Sequence, residues 1–130
     1  MRAAHLLYAV VLVAVFVVGF ETRRRAQLRE GEDLKPRPDA LEYGLAARAL
    51  AMDGRFAIDV GGVDYPPRYP IGFPLLAAPF VLLRGGDPAG VVDAAHAYGL
   101  ILIVLLAMLG HLAGGPLAAI VAATIGALSP

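Results

Sequence analysis

Ala3 to Phe20 is an unbroken run of 18 residues whose only polar members are His5 and Tyr8, and no other feature restricts the fold so strongly. A helix crosses a bilayer with roughly 20 predominantly apolar residues, so this stretch reads as a first transmembrane helix. A cleaved secretory leader is the competing reading; Val17-Val18-Gly19-Phe20-Glu21 offers no small-x-small cleavage site, and further apolar runs follow. Val91 to Leu112 is a second span, apolar from Leu100 to Leu109. Its Asp93, His96 and Tyr98 are confined to the first turns, where polar groups reach the interface at little cost. Ala113-Gly114-Gly115-Pro116 predicts a tight turn, after which Leu117 to Leu128 starts a third hydrophobic helix. Its small residues suit packing against other helices. Those twelve residues, at about 1.5 Å each, cover only about 18 Å of a core about 30 Å thick. The third span is therefore expected to be truncated, and the chain to be the N-terminal portion of a longer polytopic protein whose remaining transmembrane helices are its partners.

Composition agrees with a membrane protein: 58% of residues are hydrophobic, 17% are charged and mean hydropathy is +0.69. The charge is unevenly placed. Ten of the eleven basic and ten of the eleven acidic residues fall between Glu21 and Asp87, leaving the flanks nearly bare. This is a polar loop between apolar segments, without the basic excess that marks nucleic-acid binding. Absence of cysteine excludes disulfides, thiolate catalysis and cysteine metal sites. No glycine-rich phosphate loop, serine-nucleophile motif or zinc pattern is present.

Within the loop, Glu21 and Arg25 stand at i,i+4, so the first helix is expected to run past the apolar stretch. Arg23, Arg24 and Arg25 are of the kind that normally stays in the cytoplasm beside a span. Pro36 and Pro38 keep the chain extended, and Asp39 to Met52 then reads as a helix closed by Asp53-Gly54. Asp39 with Glu42 fits a helix N-cap followed by an acidic residue three positions on, a capping box. Phe56 to Val63 contains a short extended piece ending at Gly61-Gly62, and the three prolines of Asp64-Tyr65-Pro66-Pro67-Arg68-Tyr69-Pro70 exclude a regular helix. Ile71 to Leu83 is apolar but only 13 residues long, interrupted by Pro74 and Pro79. It is too short to span and reads as an interfacial or re-entrant segment. The expected architecture is an all-α integral membrane protein, a multi-span helical bundle: a first span over 1–20, a loop over 21–88 with helices at 39–52 and 71–83 near the bilayer surface, and a transmembrane hairpin over 89–130.

Asp39, then Glu42 and Tyr43, then a helix-like run and finally PPRYPIGFP, together Pro38 to Pro79, resemble the first extracytoplasmic loop of the GT-C superfamily of polytopic glycosyltransferases. These are the relatives of protein mannosyltransferases and of the aminoarabinose transferases of lipid A. The resemblance implies a cell-membrane enzyme that moves a sugar from a polyprenyl-phosphate donor to an acceptor at the outer face, with loop 21–88 outside. It implies Asp39 as general base and substrate contacts from Glu42, Tyr43, Arg68 and Tyr69. Many relatives carry an acidic residue directly after the aspartate, where this chain has Ala40. A divalent metal is a candidate cofactor, and membrane lipid a partner. Outside the resemblance, Asp93 and His96, three apart on one helical face, supply only two ligands. His5 and His111 lie near span ends and call for no function. The rival class is a non-catalytic polytopic membrane protein, a transporter subunit or an assembly factor, in which Asp39 caps a helix and YPPRYP anchors the loop by its tyrosines.

Overall fold

The computed structural model describes residues 2–30, 34 and 37–129. Over these residues the chain is mostly helical: α1 is Arg2–Glu30, α2 Pro38–Asp53, α3 Gly72–Leu83 and α4 Gly90–Leu128. An antiparallel hairpin of β1 (Ile58–Val60) and β2 (Val63–Tyr65) lies between α2 and α3. Two compact units result, one from Met1–Glu30 with His96–Pro130 and one from Gly31–Ala95. The extended conformation expected at Pro36 lies outside the described residues.

In the first unit, α1 continues beyond Phe20, and Glu21 lies 3.6 Å from Arg24 and 3.9 Å from Arg25, the i,i+3 and i,i+4 spacings that support an exposed helix end. The α4 backbone leaves helical geometry at Gly114 (φ −152°, ψ 18°) and Gly115 (φ 74°, ψ −160°). The second of these is a conformation open essentially to glycine alone, and Pro116 follows it with a φ already suited to a new helix. The predicted turn thus folds α4 back on itself. Across the bend the Gly110 Cα faces Ala118 and Ala119, and Gly126 faces Leu106 and Ile103. Ile103, Ala123 and Ala127 form the centre, with Leu12, Val15, Leu100 and Ala107 packed on it. Small side chains at the contacts let the backbones approach closely.

That centre is thin. The most apolar 18-residue windows of α1 and α4 have mean hydropathy 2.2, yet only 6% of each is buried within the chain. A soluble protein rarely leaves so much contiguous apolar surface in water. Both helices are long and apolar enough to cross a membrane.

The second unit begins with a correction. α2 starts at Pro38, not at Asp39, and its N-cap is Arg37, whose φ of −126° and ψ of 85° are non-helical and whose side chain makes no capping bond. Proline is well suited to the first helical position, where its missing N–H leaves no donor unpaired, and it restricts the preceding residue to extended geometry. Asp39 and Glu42 are therefore inside the helix, and the capping box does not form. Gly54 closes α2 in the left-handed conformation, as Asp53-Gly54 suggested.

A second difference is the hairpin. Gly61 (φ 65°) and Gly62 (φ 84°) both take positive φ, the requirement of a type I′ turn. Ile58 pairs with Tyr65 and Val60 with Val63, so Asp64 and Tyr65, expected to be irregular, are in a strand. The Asp59 carboxylate accepts the Gly62 N–H at 2.9 Å, and Arg55 pairs with Asp64 and with Asp53 (3.6 Å), joining the hairpin to the end of α2. The fold is accordingly mostly helical with one small β-hairpin.

α2 buries Ala46, Ala47 and Ala49, and α3 buries Pro74, Ala77 and Val81. α3 in turn meets the first turn of α4, where Gly90 lies against the backbone of Val81. Arg84 Nε donates to Asp93 Oδ2 at 2.5 Å and Nη2 to Oδ1 at 3.2 Å, closing the corner between them. Such two-point arginine–carboxylate bonding fixes orientation as well as distance.

Candidate functional site

The first turns of α2 point Asp39, Glu42 and Tyr43 toward the segment Pro66–Pro70, which three prolines hold out of regular structure. Glu42 is buried, at 7% exposure, and its carboxylate gathers that segment. Oε1 accepts the backbone N–H of Arg68 at 2.5 Å, while Oε2 accepts Arg68 Nε and Nη2, each at 2.7 Å. The backbone N–H of Tyr69 lies near the same carboxylate. Proline removes backbone donors from this stretch, so the two N–H groups at Arg68 and Tyr69 are those left to bind a carboxylate.

Tyr69 completes the cluster. Its hydroxyl lies near the carboxylate of Asp39, its ring lies 4.9 Å from that of Tyr43, and the Arg68 guanidinium stands 5.8 Å above it. Tyr43 meets Phe73 of α3 edge-on at 5.4 Å. These spacings fall within the range of favourable aromatic and cation–π contacts. The five residues singled out from the sequence, Asp39, Glu42, Tyr43, Arg68 and Tyr69, are thus drawn into one cluster. Phe73 joins them through Tyr43; it lies within the PPRYPIGFP stretch, but an apolar ring gave no chemical signal there.

The charges have distinct environments. Burial pushes the Glu42 carboxyl up, but the bonds and positive charge of Arg68 outweigh it and hold the group below its ordinary value of 4.5. Glu42 raises Arg68 in return. The bond to Asp39, then burial, pushes the Tyr69 hydroxyl above its ordinary value of 10.0. Because the folded state depresses Glu42, its stabilisation is fully present above about pH 4.5 and is lost as the pH falls below that through the folded value. Amide protection of Arg68 and Tyr69, corrected for intrinsic exchange, should therefore drop on acidification. Glu42→Gln should flatten that profile, and an unchanged acid limb in the variant would assign the loss to another group.

Asp39 and Arg68 remain exposed. The cluster therefore presents a carboxylate and a guanidinium on a base of tyrosines. Glu42 is not available as a second metal ligand beside Asp39, since both its oxygens bond to Arg68. Among the described residues no group of three His, Cys, Asp or Glu is placed to hold a metal ion. Asp93 bonds to Arg84, and the His96 ring packs edge-on against Phe20 at 5.7 Å. Neither residue belongs to the cluster around Asp39.

Fold and site together define a mostly helical protein with two helices suited to a bilayer and, between them in sequence, a charged segment whose described residues form two helices and a β-hairpin. Against protein-family models, curated proteins and solved structures, the chain finds no match.

Proposed function

We propose that this chain is the N-terminal portion of a GT-C-like membrane glycosyltransferase that transfers a sugar from a polyprenyl-phosphate donor to an acceptor at the extracytoplasmic face. The observation that carries this reading is Asp39: an exposed carboxylate near the Tyr69 hydroxyl, beside an exposed arginine that Glu42 holds in place. The exposed carboxylate has lone pairs open to an acceptor hydroxyl. As the acceptor oxygen attacks the anomeric carbon, Asp39 takes its proton, and the bond from that carbon to the lipid phosphate breaks with the electron pair leaving on phosphate. Arg68 offsets the charge that develops there. No step is assigned to a divalent metal, because this cluster contributes one open carboxylate only. Remaining transmembrane helices of the longer chain complete the donor site, so the segment alone is inactive.

The same reading places the protein in the cell membrane as a multi-pass protein, with α3 at the lipid surface. Leu75, Leu76, Leu82 and Leu83 form an exposed apolar face on a helix too short to span, opposite the face that packs on α2. An outward loop conflicts with Arg23, Arg24 and Arg25 under the positive-inside rule. In the structure Glu21 pairs with Arg24 and Arg25, and Arg23 Nη2 donates to the carbonyls of Gly126 (2.7 Å) and Ser129 (3.0 Å), contacts that leave the conflict standing because the rule does not count net charge.

Asp39→Asn in the full-length protein keeps the shape and one acceptor oxygen but removes the base. Sugar transfer should fall by about 10²–10⁴-fold, the usual worth of a positioned general base. The mutual satisfaction of Glu42 and Arg68 favours the second reading, a non-catalytic membrane protein whose loop is merely braced. Transfer undiminished in Asp39→Asn would reject Asp39 as the base. Orientation supplies an independent check, since the chain has no cysteine of its own. A cysteine at exposed Val63 should react with a membrane-impermeant reagent in intact cells, and reaction only after lysis would overturn the outward loop.

A further inference from the structure

Of the three consecutive arginines that follow the apolar stretch of α1, Arg24 and Arg25 are exposed and pair with Glu21, whereas Arg23 is half-buried within the first unit. Its guanidinium ends on backbone carbonyls. Nη2 donates to Gly126 at 2.7 Å and to Ser129 at 3.0 Å, and Nη1 stands 3.4 Å from the carbonyls of Ala127 and of Gly19, a turn back on its own helix. Two glycines make the room. A Cβ at Gly99, in the first half of α4, would lie 2.6 Å from Arg23 Nε, and one at Gly19 would lie 3.0 Å from the Ala127 Cβ.

The last carbonyls of a helix are the ones that need donors from elsewhere. The Ser129 N–H bonds to the Ile125 carbonyl at 3.1 Å, one more step of the i to i−4 ladder. The next step would run from residue 130 to Gly126, but residue 130 is proline and has no N–H. Gly126 therefore lacks that donor however the chain proceeds beyond Pro130, and its carbonyl is the one to which Arg23 bonds at 2.7 Å. In an apolar surrounding a carbonyl freed by proline is costly unless a neighbouring group takes it up. The guanidinium charge also stands at the negative end of the helix dipole. We infer that Arg23 is a helix cap supplied by α1: it replaces the N–H that Pro130 withholds and fastens the end of α4 to α1. The part of α4 after Pro116 is then an arm held at both ends, by the Gly114-Gly115 bend and by this arginine. Ser129, the residue before the proline, already lies outside the helix, so the lock stands where the chain leaves helical geometry. The inference is independent of glycosyl transfer and of which side of the membrane the loop occupies.

The test is amide hydrogen exchange of the full-length protein in nanodiscs, read over residues 124–129 with residues 100–107 as the internal reference. Arg23→Met keeps an unbranched side chain and removes its donors. Exchange over residues 124–129 should then speed up by about tenfold or more, the loss expected for a hydrogen bond from a charged donor, while the reference stays unchanged. Pro130→Ala gives the helix its own N–H for Gly126, so in that background Arg23→Met should lose most of its effect. Unchanged exchange in Arg23→Met would overturn the cap. Equal acceleration with and without Pro130→Ala would overturn the link to the proline, and acceleration spread evenly over both regions would mean that general packing was lost instead. Where Arg23→Met fails to insert, Arg23→Lys is judged by the same criteria: it keeps the charge, but one ammonium cannot hold carbonyls that the guanidinium meets with two nitrogens.

Discussion

Glu42→Ala should free the Pro66–Pro70 segment from α2, and the tryptic bond between Arg68 and Tyr69 should then be cut at the rate of an unstructured site. In the wild-type protein Glu42 accepts both the backbone N–H and the side chain of Arg68. Charge-assisted bonds of this kind are about twice as strong as neutral ones. Alanine removes them together and leaves the Arg68 guanidinium, itself mostly exposed, to water. Nothing else in the segment replaces them, because prolines occupy positions 66, 67 and 70. Glu42→Gln keeps one acceptor oxygen and should be intermediate. The consequence reaches the proposed base, since Tyr69 lies near Asp39 and is adjacent to the clamped Arg68. In the enzyme, Glu42→Ala should therefore lower transfer at saturating acceptor while leaving Asp39 chemically intact. Unchanged cleavage at Arg68 would show that the aromatic contacts with Tyr43 hold the segment by themselves.

Gly110→Ala should open the helical hairpin of α4. A Cβ at this position would lie 2.6 Å from the Ala118 carbonyl oxygen and 2.9 Å from the Ala119 Cα. These are backbone atoms and cannot rotate aside. Overpacking of this kind costs about 1–3 kcal/mol, and here the only relief is separation of the two halves of the hairpin. Unfolding in mixed micelles should show the loss, and spin labels at exposed Leu105 and Val121 should report a longer, broader distance distribution. Gly72→Ala is the matched control. It faces open space at the start of α3, so the lower entropy of the unfolded chain should make it neutral or stabilising by about 0.4–1 kcal/mol. Equal effects in the two variants would mean that alanine is tolerated at the crossing.

Which parts of this protein could be read without coordinates follows from the range of the interactions involved. The apolar stretches from Ala3 and Val91, the Gly114-Gly115 bend and the stop at Gly54 each depend on residues within a turn or two of one another, so composition and spacing suffice. The hairpin shows the limit. Gly61-Gly62 marked a turn, but two strands of three residues with prolines immediately after them carry too little alternation to declare a pair. Asp39 and Glu42 show a different failure. Their spacing suits a capping box, yet Pro38 is the better first helical residue, and a one-residue shift of the helix start turns both carboxylates from the helix end to a neighbouring segment.

What the chain alone determined was therefore its solvent and its punctuation: two helices apolar enough for a bilayer, a charged stretch between them and the places where the backbone must turn. Tertiary structure decided the partnerships. Glu42 and Arg68 are 26 residues apart, and Gly110 meets Ala118 only because the bend returns the chain. Periodicity and propensity report what neighbours in sequence prefer. A carboxylate's choice between its own helix end and a distant arginine is set by which donors the folded chain brings within hydrogen-bond reach, and proline had already removed the alternatives.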